Sequence, residues 1–418
     1  MPTLIVFCHL RWDFVFQRPQ HLMTRMAKHY RILIVEEPVY QEGQAHLKKT
    51  AVAPNITVCQ PHTPIHAPGF HDDQIPTLQT LLADLVPEGE KPVVWFYTPM
   101  ALPLLQSFEP SLVVYDCMDE LAAFKNPPKQ LVQRESALLN IADLCFTGGP
   151  SLYNSKKDRH ANAHCFSSSV DAQHFQQARD PSHSHPDQAG IPGPRLGFYG
   201  VIDERFDIDL IREVAAARPE WQIVLVGPVV KIDPAHLPKA ANIHYMGQRT
   251  YEELPQFLAG WDVCLLPFAL NESTKFISPT KVLEYMAAEL PSVSTPITDV
   301  KVPYGDVVAI AETPAEFIAA CERMLDASPE QKLALAERMR AVVANTSWDK
   351  TANAMHQLIQ TTEPGNRAQR LSADASNIAD IAEAGAGKVS PLPLSAAHKQ
   401  AAQNVAIDAQ PVKAQAAE

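Results

Sequence analysis

A helix start in the second half of the chain brings a cation and a carboxylate together with free backbone donors. Ser278 and Pro279 precede Thr280 and Lys281, and serine and proline are favoured as the N-cap and the first residue of a helix. Backbone N–H groups and the positive end of the helix dipole then gather at residues 279–281, which suits an anion such as a phosphate. Glu284 shares a helical face with Lys281 and can accept hydrogen bonds from ribose hydroxyls. The alternative interpretation is an ordinary capped helix that carries a surface ion pair.

Polar residues also follow two apolar runs in the first half of the chain. His9 follows residues 4–8, and Asp116 follows residues 112–115, with Asp119 three positions later. If both runs are parallel strands, these side chains emerge at the carboxyl edge of one sheet, where one of them can act as a general base for an acceptor hydroxyl. Alternatively, His9 bonds to the backbone of a turn and the aspartates cap the following helix.

Two series of short apolar runs supply the strands that must position these residues. The first series occupies residues 4–146 and the second starts after residue 195, and the runs lack the alternation of a half-exposed sheet. Helical patterns separate the runs, so the sequence predicts an α/β protein with two doubly wound, Rossmann-like domains that face a cleft. Residues 179–194 contain four prolines and no period, and we interpret them as a linker. The predicted domains are residues 1–178 and residues 195–363.

Composition argues against several classes of protein. The chain has 35 Lys and Arg against 47 Asp and Glu, and a net charge of -12 disfavours nucleic-acid binding. The opening apolar run is too short for a signal peptide, and no later window is long enough for a membrane span, so we expect a cytoplasmic protein. The seven cysteines include no Cys-x-x-Cys pair, which favours reduced thiols over disulfides or a zinc site.

The stretch from Pro267 to Thr295, with Lys281-x-x-Glu284-Tyr285 inside it, resembles the nucleotide-sugar signature of group 1 glycosyltransferases of the GT-B fold. Residues 9–22 and 115–120 are similar to the bacterial branch of that family that acts in exopolysaccharide and cell-wall polymer assembly. The resemblance covers residues 3–360. It implies that the second domain binds a nucleotide-sugar donor and that the first binds the acceptor.

The resemblance also implies roles for three residues near the ends of the strands in the second domain. Gly200 and Gly227 end two apolar runs, where an absent side chain lets the backbone approach a diphosphate. Arg205 would neutralise the leaving diphosphate, beside a donor site made by Ser278, Thr280, Lys281 and Glu284. The chain departs from the family pattern twice. Phe276 stands where the first of two glutamates belongs, with Glu272 of the preceding loop as an alternative for that role. Glu289-Leu290-Pro291 stands where a glycine commonly ends the helix.

No metal or other cofactor is implied by this resemblance. Asp207-Ile208-Asp209 matches the metal-binding Asp-x-Asp motif of the other common glycosyltransferase fold. In this chain the motif begins a predicted helix, where acidic residues complement the helix dipole. We therefore expect no metal at these aspartates.

The first predicted helix, residues 17–29, carries Arg18, His21, Arg25 and Lys28 on one face. Two interpretations stay open for this basic face. It is either an ordinary solvated surface or, together with Arg11, a contact for an anionic membrane or a lipid-diphosphate acceptor. Under the second interpretation the protein works at the inner face of the plasma membrane.

The function predicted from the sequence is transfer of a sugar of the hexosyl type from a nucleotide-sugar to a hydroxyl of a glycan or lipid-linked acceptor. The process would be polysaccharide or cell-envelope biosynthesis. Two alternatives stay open: a nucleotide-sugar epimerase of the same fold, and a non-catalytic nucleotide-sugar-binding protein. The sugar, the base, the acceptor and the stereochemical course are not predicted.

Residues 364–418 are rich in alanine and lack aromatic residues, and we interpret them as a disordered tail. Truncation after Pro364 should therefore leave enzymatic activity and the melting temperature nearly unchanged, because this segment lacks the apolar content for a core. Differential scanning calorimetry of the full and truncated chains checks this expectation. A large fall in melting temperature would show that the segment docks on the rest of the protein.

Overall fold

The apolar runs of the first half form a nine-stranded sheet in the computed structural model, which describes residues 1–365. Its strands are β1 (Thr3–Cys8), β2 (Arg31–Glu36), β3 (Val39–Tyr40), β4 (His46–Ala53), β5 (Ile56–Thr63), β6 (Val93–Phe96), β7 (Leu112–Cys117), β8 (Leu144–Thr147) and β9 (Ala163–Cys165). Their order is β3-β5-β2-β1-β6-β7-β8-β9, and β4 pairs with β5 as the antiparallel strand. The opening strand β1 lies between β2 and β6, with its six residues buried.

A second sheet of six parallel strands follows within the same described range. Its strands are β10 (Arg195–Tyr199), β11 (Gln222–Val226), β12 (Ile243–Tyr245), β13 (Val263–Leu266), β14 (Ser292–Ser294) and β15 (Ala309–Ile310). Their order is β12-β11-β10-β13-β14-β15, so the strand order reverses at β10, as in a doubly wound fold. The predicted α/β fold with two Rossmann-like sheets is confirmed.

Helices cover both sheets. They are α1 (Arg18–Met26), α2 (Ile75–Leu82), α3 (Leu131–Ile141), α4 (Pro150–Lys156), α5 (Ala172–Phe175), α6 (Ile208–Ala217), α7 (Leu254–Leu258), α8 (Lys281–Ala287), α9 (Thr298–Tyr304), α10 (Pro314–Leu325), α11 (Pro329–Val343) and α12 (Trp348–Thr361). Helices α10 and α11 begin at their sequence signals, since Thr313 and Ser328 cap them and a proline follows each cap.

The segment predicted as a linker is folded onto the second sheet. Residues 179–194 contain two short 3-10 turns, Pro181–His183 and Pro186–Gln188, which explains why they show no helical or strand period. The buried Gln188 amide donates to the Phe257 carbonyl at 3.0 Å, and Ile191 packs in the second core. Because Val170 and Phe175 already belong to that core, the chain crosses between the sheets before residue 170.

The last described helix returns to the first sheet. The sequence-based boundaries assigned residues 195–363 to the second domain, but Trp348 and Met355 of α12 are fully buried in the core that also holds Leu22 and Met26 of α1. Periodicity marks α12 as an amphipathic helix, but it does not say which sheet the apolar face covers. The polypeptide therefore crosses between the two sheets twice.

Residues of α12 also contact the predicted basic face of α1. Arg25 pairs with Asp349 of α12 at 3.1 Å, and Lys28 lies 3.6 Å from the same carboxylate. His21 stacks on Trp348 at a ring separation of 4.7 Å, and burial lowers its pKa to about 3. The predicted face is therefore not one continuous basic surface, because His21 is buried and Arg25 is paired, whereas Lys28 remains exposed. None of the helices in residues 1–365 is long and apolar enough to cross a bilayer.

The other two cations of the predicted membrane contact are also engaged inside the protein. Arg18 is only 4% exposed and forms a bidentate ion pair with Asp116. Arg11 forms an ion pair with Glu36 at 3.1 Å and donates to the Glu37 carbonyl. These residues are thus structural cations of the first sheet.

The turn after α8 closes without the glycine that the family commonly uses. Glu289 itself adopts the left-handed conformation, with φ of 60°. Its carboxylate is held by Arg340 at 2.7 Å and by Arg179 at 2.7 Å. A left-handed backbone conformation is less favourable for a residue with a side chain than for glycine. At Glu289, two ion pairs of the side chain accompany this conformation.

Replacing the buried indole of α12 tests the return of the chain to the first sheet. Trp348→Ala should lower the free energy of unfolding by about 3–5 kcal/mol, because it opens a cavity against His21 in the first core. Urea denaturation followed by circular dichroism gives this quantity. Gln357→Ala, an exposed position on the same helix, is the control and should change little. Equal unfolding midpoints for Trp348→Ala and the wild type would contradict the packing.

Candidate functional site

The carboxyl ends of the two sheets face each other across a cavity. The second sheet lines it with the ends of β10 and β11 and with the start of α8, and the first sheet lines it with the start of α1 and the loop after β7. Ligands bind at such carboxyl edges in doubly wound sheets. Nine of the predicted site residues line this cavity: Arg18, which was predicted as an acceptor or membrane contact, and Asp119, Gly200, Arg205, Gly227, Ser278, Thr280, Lys281 and Glu284.

Two glycines create the space for the lysine of the site. Gly200 has φ of +137°, and a Cβ placed on it would lie 2.6 Å from Cε of Lys281. Gly227 has φ of +141°, and a Cβ there would overlap the carbonyl oxygen of Gly200. The absent side chains thus admit Lys281 and allow the ends of β10 and β11 to approach each other.

Lys281 reaches the cavity through aromatic surroundings. Its Nζ lies 5.5 Å from the ring centroid of Phe198 and 5.8 Å from that of Phe268. Burial, with a smaller contribution from the charge of Arg205, lowers the pKa of Lys281 to about 8. The ammonium therefore carries its charge at neutral pH with little hydration, which strengthens its attraction for an anion.

Glu284 lies one turn deeper and accepts a hydrogen bond from the Tyr199 hydroxyl. It is only 6% exposed, and burial raises its pKa to about 7 against the opposing effects of Tyr199 and Lys281. The carboxylate keeps acceptor capacity toward the cavity that it lines. Tyr199 was not among the predicted site residues, although its position directly before Gly200 at the end of a strand could have indicated it.

The helix start differs from the prediction. Helix α8 begins at Lys281, and Thr280, which precedes it, already has helical backbone angles. Ser278 is therefore not the N-cap, and its carbonyl accepts a hydrogen bond from the Ser168 hydroxyl at 2.8 Å. Ser168, which also lies 3.2 Å from the Thr280 hydroxyl, is a second residue that the sequence analysis missed.

Arg205 is fixed at the cavity by a neighbouring carboxylate. Its Nε and Nη2 donate to Asp203 at 3.0 and 2.7 Å, and its guanidinium lies 5.4 Å from the ring centroid of Phe124 in the first domain. This geometry holds the cation in one orientation beside Lys281. Because Phe124 belongs to the loop after β7, the two domains meet at this arginine.

The three predicted proton acceptors of the first domain have different surroundings. Asp119 lines the cavity, and burial raises its pKa against the opposing effect of Arg205. Asp116 is fully buried, and both of its oxygens accept from Arg18, at 2.9 and 3.0 Å. His9 and Asp116 are not among the described residues that line the cavity, and burial lowers the pKa of His9 to about 4. Asp119 is therefore the acid of the three that faces the site.

An aromatic contact closes the far end of the cavity. Phe16 of the first domain stacks on Tyr251 of the second at a ring separation of 4.4 Å, and Tyr251 stacks on His174 at 4.2 Å. Arg249 also lines this end and pairs with Asp187 at 2.7 Å. Neither Tyr251 nor Arg249 was predicted from the sequence, because they lie in or just before the short 3-10 turn Tyr251–Glu253, which has no strand or long-helix period.

The Asp-x-Asp motif has structural partners. Asp207 caps α6 by accepting from the Leu210 N–H at 2.9 Å, and Asp209 pairs with Arg212 one turn along the same helix. Neither aspartate is among the described residues that line the cavity. The motif is thus a helix start.

The second sheet and its site match a known family. Residues 193–327 fit the model of the family described as Glycosyl transferases group 1. This part of the chain is a group 1 glycosyltransferase domain. A protein of Bacillus subtilis (strain 168), assigned to teichuronic acid biosynthesis as the glycosyltransferase TuaH, is 25% identical to the chain over 302 residues. The match covers 65% of this chain and 73% of TuaH.

Solved structures share the fold of the chain across both sheets. A trehalose-6-phosphate structure from E. coli bound with UDP-2-fluoro glucose superposes with a TM-score of 0.65 at 13% identity and covers 87% of this chain and 100% of that chain. Anabaena Alr3699/HepE, in complex with UDP and glucose, has a TM-score of 0.62 at 11% identity, with coverage of 86% and 100%. The architecture of the chain is GT-B, as predicted.

Proposed function

We propose that this protein transfers a sugar from a nucleotide-sugar donor to a hydroxyl of a glycan or lipid-linked acceptor in polysaccharide biosynthesis. The observation that carries the proposal is the grouping of Lys281, Glu284 and Tyr199 around Gly200 at one edge of the glycosyltransferase domain. TuaH is assigned to teichuronic acid biosynthesis, and two of the similar structures hold a UDP-sugar or UDP with glucose, which supports the donor and the process.

The donor site combines two cations and one carboxylate, which match the parts of a nucleoside diphosphate. Lys281 and Arg205 would contact the diphosphate, with Lys281 in a poorly hydrated position where its charge acts strongly. Glu284, held by Tyr199, would accept hydrogen bonds from the ribose hydroxyls. The base and the sugar are not specified by these contacts.

Transfer breaks the bond between the anomeric carbon and the diphosphate oxygen, and the acceptor oxygen forms the new bond to that carbon. The electron pair of the broken bond goes to the leaving diphosphate, whose growing negative charge Lys281 and Arg205 stabilise. The acceptor hydroxyl must also lose its proton. Asp119 lines the cavity from the first domain and is our candidate for binding the acceptor or receiving this proton.

One observation supports a second candidate, a protein that binds a nucleotide-sugar without transferring it. Phe276 replaces the first glutamate of the family pattern, and it packs against the core of the first domain. The sugar then lacks that carboxylate partner. Incubation with a UDP-sugar and polysaccharide fragments separates the candidates, because a glycosylated product or released UDP excludes simple binding, and a new UDP-sugar isomer indicates an epimerase.

Removal of either charged group of the donor site should weaken donor binding. Glu284→Ala and Lys281→Ala should each raise the Kd for the best-bound nucleoside diphosphate among UDP, GDP and ADP by roughly 10- to 100-fold, as expected when a hydrogen bond to a charged group is lost. Isothermal titration calorimetry gives the Kd. Exposed residues of the same types supply the controls, Lys275→Ala and Glu337→Ala, which should bind like the wild type. Unchanged affinity in both site variants, with folded protein, would refute the donor site.

The lowered pKa of Lys281 predicts a pH dependence of the same binding. The ammonium is charged below a pKa of about 8, so the affinity for the nucleoside diphosphate should fall as the pH rises above that value. The phosphate charge is nearly constant there, because its second ionisation lies near pH 6. Lys281→Arg should remove the decline, since arginine stays protonated. An equal decline in the wild type and in Lys281→Arg would assign the effect to another group.

A further inference from the structure

A buried carboxylate of the second domain contacts the first domain beside the donor site. Asp299, near the start of α9, is only 3% exposed. Its oxygens accept from the Ser151 backbone N–H at 3.2 and 3.3 Å, and the Ser151 hydroxyl donates to Oδ1. Ser151 lies in the first turn of α4, which belongs to the first sheet. Within residues 1–365, these are the hydrogen bonds that the carboxylate of Asp299 accepts.

The lost hydration of the buried Asp299 carboxylate must be compensated by other interactions. A carboxylate that is buried without a cationic partner loses hydration, and it is stable only when hydrogen bonds replace the water. Burial raises the pKa of Asp299, and the two donors of Ser151 oppose that effect. Because the donors lie on the other domain, the carboxylate is satisfied only while the two domains are in contact.

The contact lies directly against the segment that leads into the donor site. Gly149, at the start of α4, has no room for a side chain, since a Cβ there would lie 2.7 Å from Cβ of Ser278. Gly148 lines the cavity, and Ser168 bonds to the carbonyl of Ser278. Opening of the cleft at this point would at the same time break the Asp299 hydrogen bonds and separate Gly149 from Ser278.

We infer that Asp299 is a positioning residue that holds the two domains in the arrangement that transfer requires. The inference rests on the proposed glycosyl transfer. Lys281, Glu284, Gly200 and Gly227 all belong to the second domain, so a nucleoside diphosphate can bind without the interdomain contact. Transfer also needs Asp119 and the acceptor from the first domain, so it depends on Asp299. Loss of the contact should therefore lower kcat and leave nucleotide affinity nearly unchanged.

Three variants test this inference. Asp299→Ala removes both acceptors and should lower kcat for transfer by about 100-fold, the scale expected when reacting groups are misplaced by an ångström. Asp299→Asn keeps an oxygen that can accept from both donors of Ser151 and should restore much of the rate. Asp306→Ala, an exposed aspartate just beyond α9, is the matched control and should behave as the wild type.

Small-angle X-ray scattering supplies a readout that is independent of turnover. In the presence of the best-bound diphosphate among UDP, GDP and ADP, Asp299→Ala should have a larger radius of gyration than the wild type and Asp299→Asn. Wild-type kcat together with an unchanged radius in Asp299→Ala would overturn the inference. A parallel loss of nucleotide affinity would also overturn it, because Asp299 would then act on the donor site itself.

Two further cases have defined outcomes: an Asp299→Ala variant that does not fold, and a wild type that shows neither nucleotide binding nor transfer. If Asp299→Ala does not fold, Ser151→Ala removes the hydroxyl donor alone, and a lower kcat with unchanged nucleotide affinity supports the contact, whereas a wild-type kcat opposes it. If the wild type binds no nucleoside diphosphate and transfers no sugar, the proposed function fails. The scattering comparison without nucleotide then decides the interdomain role of Asp299 separately.

Discussion

The burial of a lysine ammonium at the end of the second sheet is the constraint on which the site depends. Lys281 can occupy this position only because Gly200 has no side chain, and Gly200 can approach β11 only because Gly227 has none. The helix that carries Lys281 also places Glu284 beside Tyr199. The close approach of Lys281 to Gly200 thus fixes the cation against the end of β10, and the same helix carries Glu284.

The charges of the site are held by partners that differ in kind. Arg205 has a carboxylate partner in Asp203, which fixes its orientation, whereas Lys281 has aromatic rings around it and a lowered pKa. Within residues 1–365 Lys281 forms no direct ion pair, so its poorly hydrated charge gains more from an incoming anion than that of Arg205 does. In the proposed donor site, this difference favours Lys281 as the group whose protonation controls the binding of a nucleoside diphosphate.

The first domain contributes through contacts that cross the cleft. Asp119 lines the cavity, Phe16 stacks on Tyr251 in its lining, and Ser151 bonds to Asp299 next to the segment that holds Ser278. The return of α12 to the first core ties the end of the described chain to its beginning. The cleft is therefore bounded by several contacts that do not involve the groups of the proposed donor site, and their loss can alter the proposed transfer without altering that site.

The sequence by itself determined the fold class and most of the predicted residues that line the cavity. Apolar runs without alternation require sheets that are covered on both faces, and Lys281 and Glu284 follow from the local signals of a helix start. Gly200 and Gly227 end two apolar runs, and the family resemblance implied their role. These are properties of neighbouring residues along the chain. The same kind of local signal predicted the first helix, although α1 ends at Met26 and Lys28 lies beyond it.

Only the tertiary structure decided what those faces touch. Arg18 meets Asp116, which lies 98 positions away, so a cation predicted for a membrane and an acid predicted for catalysis are buried together as an ion pair. Asp299 and Ser151 meet across 148 positions, and α12 packs on the first sheet instead of the second. Periodicity reports the pattern of burial within one element, and it contains no information about the partner that covers it. The choice of partner follows from how the whole chain packs, and here it separates Asp119, which faces the cleft, from Asp116, which does not.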